Sequence, residues 1–142
     1  MIKCVVEEQG SPDAVALVAS EKAAAPDLIY MECANILWKK VRRAELTRTE
    51  GEMAGQILLR SGLDIVAGSE LLGPALSLAA DLDHPAYDCA YLALALQRNS
   101  LFVSANLRLI NKVKASNHPT LAGLVTSLPE AQAALMARGI VS

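Results

Sequence analysis

The chain contains no apolar run approaching the roughly 18 residues that a membrane span requires. Its N-terminus also lacks the basic-then-apolar pattern of a secretory signal. A soluble cytoplasmic protein with no membrane partner is therefore expected. Cysteine is scarce and odd in number: Cys4, Cys33 and Cys89, with no C-x-x-C spacing. Such thiols read as reduced packing residues rather than a disulfide framework. Only two histidines occur, His84 and His118, each beside a proline and without ligand spacing, so both are expected to be non-catalytic. Glycine-rich phosphate loops, a G-x-S-x-G elbow and a Cys/His dyad are missing too. Charge of one sign does not dominate. The net charge is -2 and the pI about 5.7, so any nucleic-acid binding needs a local basic patch.

What is present is apolar surface. With 142 residues, no linker and no internal repeat, the chain reads as one domain over 1–142, long enough for a substantial core. Its apolar fraction is 53% and its mean hydropathy +0.31, high for a lone soluble domain. A covering partner is expected, in a homodimer or a hetero-complex.

Short strands alternate with longer helices. Cys4-Val5-Val6 is a brief apolar opening followed at once by acidic residues. Ser11-Pro12-Asp13 starts a helix over about Ala14 to Ser20. Ala25-Pro26-Asp27 reads as punctuation before a helix from about Leu28 to Arg43. That helix ends in Lys39, Lys40, Arg42 and Arg43, cations that suit a helix C-terminus. Thr47 and Glu50 have the capping-box spacing for a helix running to about Arg60, closed by Gly62. Leu63 to Ala67 suits a strand, and Ser69 caps a helix to about Leu82. A helix from Pro85 to Leu96, a strand at Leu101 to Ser104, and a helix from about Leu107 to Ala115 follow. A strand near Leu121 to Thr126 and a tail helix from Pro129 to Arg138 complete the pattern. It predicts an α/β domain with a parallel sheet.

The candidate chemistry comes from charges in the wrong surroundings. From Pro85 to Leu96 the one charge is Asp88, and near the start of the helix from Leu28 it is Glu32, with Asn35 on the same face. A carboxylate inside an apolar helix is costly unless it is paired, hydrogen-bonded or bound to a metal. Ser104 and Asn106 end the clearest strand, where α/β sheets place their ligands. Oxygen donors without His or Cys favour Mg²⁺ or Mn²⁺, and such an ion suits hydrolysis of a nucleic-acid backbone. The ordinary readings compete: Asp88 as a cap or surface residue, Glu32 paired with Lys39, Arg43 or a core tyrosine, Asn106 as a helix cap. Asp81 and Asp83 read as solvated. The basic run Lys39 to Arg43 is a solvated helix end or a phosphate-contacting patch, and Trp38 is core or interface.

Three blocks, Ala25 to Lys40, His84 to Ala95 and Leu101 to Asn106, together resemble the PIN domain, and within it the VapC-type toxins of toxin-antitoxin pairs. The resemblance implies a three-layer α/β/α sandwich around a parallel sheet, usually dimeric. It implies Mg²⁺- or Mn²⁺-dependent cleavage of RNA, restrained by a cognate antitoxin. Glu32 and Asp88 match the family's acidic residues and Asn106 its later Asp or Asn position, giving metal ligands Asp88, Glu32 and Asn106, with Ser104 auxiliary. The family's first strand, which ends in an aspartate, is expected to be missing here, because Met1 to Glu8 resembles the segment after it. Glu7 and Glu8 align with an exposed acidic pair and do not replace that aspartate. The alternatives are a catalytically impaired PIN-like protein acting through antitoxin binding or self-association, and a purely helical interaction module.

Overall fold

A computed structural model of the chain describes residues 3–6, 22–104, 106–116, 118 and 120–127. The expected helix at Ala14 to Ser20, the tail helix from Pro129 and the reading of Glu7 and Glu8 lie outside the described residues.

The elements are β1 (Lys3–Val6), β2 (Lys22–Pro26), α1 (Ile29–Arg42), α2 (Arg48–Leu59), β3 (Asp64–Val66) and α3 (Gly68–Leu82). They continue with α4 (Ala86–Arg98), β4 (Leu101–Ser104), α5 (Leu107–Ala115), α6 (Leu121–Leu124) and β5 (Val125–Ser127). The five strands form one sheet in the order β3-β2-β1-β4-β5, and every pairing is parallel. The domain is thus mixed α/β, mostly helical, with a parallel sheet, and the purely helical alternative is set aside.

Two expectations about the central strands are corrected. The first strand is not missing: Lys3–Val6 is the centre of the sheet, with Cys4 opposite Ala23 on one side and Leu101 on the other. Its apolar run is only Cys4-Val5-Val6, and a central strand this short carries too little periodicity to be recognised alone. The second is β2, where Ala25-Pro26-Asp27 had read as punctuation. Ala23, Ala24 and Ala25 carry no β-branched signal, yet all three are buried. Their side chains alternate between the two faces of the sheet, one of which α4 covers at β1, β2 and β4, so tertiary burial overrides weak strand propensity. Pro26 closes the strand, a position a missing N–H tolerates.

The helices follow their local signals more closely. At α2 the Thr47 hydroxyl accepts from the Glu50 N–H, and the Glu50 carboxylate accepts from the Thr47 N–H, completing the capping box. Gly62 turns the chain at φ +77°. At α3, Ser69 is not the cap. The Gly68 N–H instead donates to Asp27 Oδ2 at 3.1 Å, a cap supplied from the end of β2, 41 positions earlier. Leu121 to Leu124, expected as strand, is one helical turn leading into β5, its Ala122-Gly123 centre favouring a turn over an extended segment.

The core sits around α4. Cys89 through Ala95 are buried, and Tyr91 meets Phe102 of β4 with ring centroids 6.4 Å apart. Leu71, Ala75, Leu78 and Leu82 recur at helical spacing and turn one face of α3 toward α4. Each such leucine, fully buried, contributes about 1.5–3 kcal/mol. Cys33 and Cys89 are buried and form no disulfide, as expected of packing residues.

Candidate metal centre

The strand order reverses around β1: β2 and β3 lie on one side, β4 and β5 on the other. In open parallel sheets the crevice at such a switch point, beyond the carboxyl ends of the strands, is the usual ligand site. Three helix beginnings are brought there by connectivity. α1 leaves β2, α5 leaves β4, and α4 begins at this edge because its far end feeds the start of β4. Helix N-termini carry partial positive charge, which favours carboxylates in their first turns. Glu32 is in the first turn of α1 and Asp88 in the first turn of α4.

The two carboxylates share this edge. The Tyr91 hydroxyl, one turn below Asp88, donates a hydrogen bond to Glu32 Oε1 and so joins α4 to α1. Of the ordinary readings of Glu32, the core tyrosine is therefore its observed partner. Burial pushes the Glu32 carboxyl above its usual range of about 4.5, the Tyr91 bond partly offsets this, and the Asp88 charge raises it again. The same surroundings push the buried Cys89 thiol up to about 11, first by burial and then by Asp88, with Lys112 opposing.

Asp88 also has a partner. His84 Nε2 lies 2.7 Å from Asp88 Oδ2, and the histidine side chain is only 7% exposed against 20% for the aspartate. In the sequence His84 reads as a non-catalytic loop residue, beside a proline and without ligand spacing to His118. The signal which that reading passes over is the i, i+4 spacing to Asp88, which brings the two side chains together across the helix entry at Pro85. His118, by contrast, accepts the N–H groups of Thr120 and Leu121 on Nδ1, both at 3.2 Å, and caps a turn.

Asn106 and Ser104 form a linked cap at the start of α5. The Asn106 side chain accepts from the Leu109 N–H at 3.2 Å, and the Asn106 N–H donates to Ser104 Oγ at 2.9 Å. The cap reading of Asn106 is thereby observed. A carbonyl oxygen keeps a second lone pair, so the cap does not exhaust what Asn106 Oδ1 can bind. Among the expected solvated residues, Asp81 and Asp83 are exposed, and the Asp83 carbonyl accepts from Lys112 Nζ at 2.5 Å.

The donor set fits a hard divalent cation. Two carboxylates repel each other where burial already disfavours charge on Glu32, and all candidate donors are oxygens. Among the described residues, no three His, Cys, Asp or Glu side chains converge on one point.

Elsewhere, α1 and α2 enclose an open apolar groove of about 510 Å³, lined by Met31, Leu37, Trp38, Val41 and Leu59 among others. Met31, Trp38 and Leu59 are largely exposed, which sets aside the core reading of Trp38. Arg42 stacks over its ring at 4.6 Å. No described helix is long and apolar enough to cross a membrane.

No protein-family model and no curated protein sequence matches the chain. Among solved structures, it is similar to the crystal structure of PAE2754 from Pyrobaculum aerophilum. The TM-score is 0.69 at 19% identity, over 96% of this chain and 90% of that one. A likeness at this identity speaks to the fold alone.

Proposed function

We propose that the chain is a PIN-like, three-layer α/β/α domain of the toxin ribonuclease type, cleaving RNA with Mg²⁺ or Mn²⁺. The observation that carries this reading is Glu32, a half-buried carboxyl held by Tyr91 and raised by burial and by Asp88, at the sheet's switch point. Glu32 and Asp88 would hold the cation, with the Asn106 carbonyl beside them and Ser104 fixing the Asn106 backbone. When bound, the cation would polarise the phosphodiester and activate water for in-line attack.

The chain's own groups do the remaining work. Tyr91 orients Glu32 by its hydroxyl and, being fully buried itself, keeps that carboxylate from swinging away. The N-termini of α1, α4 and α5 supply partial positive charge for the phosphate. The apolar groove beside Trp38 suits an antitoxin segment, and the exposed Leu72 and Leu76 of α3 suit a second copy of the chain. Cytoplasmic residence follows from this role.

Purified protein should cut RNA in Mg²⁺ or Mn²⁺, lose the activity on chelation, and lose it in Asp88→Asn. Activity that survives either treatment overturns the mechanism. A second reading, an impaired PIN-like protein working through antitoxin binding or self-association, is favoured by the lack of a third converging acidic, His or Cys side chain among the described residues. Calorimetric titration with Mn²⁺ separates the two, since the impaired protein gives no heat of binding.

A further inference from the structure

We infer that His84 is the positioning residue for Asp88, fixing which carboxylate oxygen faces the cation. The inference rests on the metal-site reading above and concerns a residue outside the candidate donor set. His84 is itself held from three sides. Its N–H donates to the Ala79 carbonyl at 3.2 Å, tying it to the end of α3. Its carbonyl lies 3.9 Å from the Cys89 thiol, which donates to it. Lys112 grips the carbonyl of the preceding Asp83, which sits in the left-handed region at φ 51°. The turn carrying the imidazole is thus anchored to α3, α4 and α5.

From that turn Nε2 reaches Oδ2 of Asp88 at 2.7 Å, while the ring is almost wholly withdrawn from solvent. An N–H directed at Oδ2 takes up one of that oxygen's lone pairs and fixes the carboxylate's rotation, leaving Oδ1 the less engaged of the two oxygens. It also makes Nε2 a hydrogen-bond donor rather than a metal ligand. Groups that orient a ligating side chain in this way typically change metal affinity by about 10–100-fold when removed.

The test is Mn²⁺ affinity, measured by calorimetry on the full chain. Asp88→Asn should abolish binding. His84→Ala should weaken it about 10–100-fold. His84→Gln, whose amide nitrogen lies near the Nε2 position, should restore most of the loss. A purely structural role predicts a lower melting temperature in His84→Ala with unchanged affinity, and that result overturns the inference while leaving the metal site intact. Unchanged binding in Asp88→Asn overturns both.

Should His84→Ala fail to fold, the wild-type protein decides. Only two histidines exist, so their ring resonances are readily assigned. Saturating Mg²⁺ should shift the His84 ring signals and leave those of His118 in place. Mg²⁺ binding without a His84 response refutes the positioning role.

Discussion

Tyr91 and Glu32 stand 59 positions apart in sequence, and the hydroxyl of one donates to the carboxylate of the other. The bond crosses from the most buried helix to the edge of the sheet. Tyr91→Phe keeps the ring contact with Phe102 but withdraws the donor that partly offsets the effect of burial on Glu32. The Glu32 carboxyl then rises further. Mn²⁺ affinity should fall most at acidic pH and recover toward alkaline pH, and stability should drop by about 1–3 kcal/mol. Calorimetry across a pH series checks the first and urea unfolding the second. A loss of affinity that is uniform across pH would contradict this account.

The stability of the metal-free protein should carry the mark of Glu32. Burial raises its folded-state proton affinity above the ordinary carboxyl value of 4.5, so the folded chain binds this proton more tightly than the unfolded chain. Its contribution is fully present below 4.5 and is lost as pH rises through the higher folded value. Glu32→Gln removes that dependence. The variant should gain on wild type from acidic to neutral pH in urea midpoints, and Mn²⁺ should stabilise wild type more than the variant. Parallel pH profiles for the two proteins would refute the assignment.

Glu32 and Asp88 are legible in the sequence itself, whereas Tyr91 is named only by the fold, and the reason is physical. A single charge in an apolar helix is an anomaly that local sequence displays, so Glu32 and Asp88 stood out. The strand Leu101–Ser104 and the helix Leu107–Ala115 have the bounds expected, and the Thr47 capping box is purely local. Features whose cause lies far along the chain were less visible. β2 is a strand because its three alanines are buried among distant elements, α4 among them, and β1 is central because two distant strands flank it. Asp27 caps a helix 41 positions away. His84 was local to Asp88 yet masked by Pro85, since a histidine beside a proline reads as loop.

Asp27 and Thr47 provide a matched pair of caps. Each satisfies an N–H at a helix start, one from a distance and one locally. Replacing either by alanine should cost about 1 kcal/mol. Only Asp27 links the end of β2, from which α1 departs toward Glu32, to the start of α3. Asp27→Ala should therefore also weaken Mn²⁺ binding, whereas Thr47→Ala should leave it unchanged. Urea midpoints measured beside calorimetry distinguish a lost cap from a disturbed site, and equal Mn²⁺ affinity in all three proteins would argue against the coupling.

Leu72 and Leu76 lie one turn apart on α3 and are 68% and 62% exposed, on a helix whose opposite face, Leu71, Ala75 and Leu78, is buried against the core. Two such leucines give water an apolar strip that a second chain would cover. Replacing them together, as Leu72→Glu with Leu76→Lys, removes the strip and installs a favourable i, i+4 pair worth about 0.2–0.5 kcal/mol. The helix should therefore stay folded. If this face holds a homodimer, light scattering should give a dimer mass for wild type and a monomer mass for the double variant, with the melting temperature of the monomer preserved at high dilution. Trp38→Glu should leave the dimer intact, because its groove lies between α1 and α2. A dimer that survives the α3 change and dissociates with Trp38→Glu would move the self-association surface to that groove.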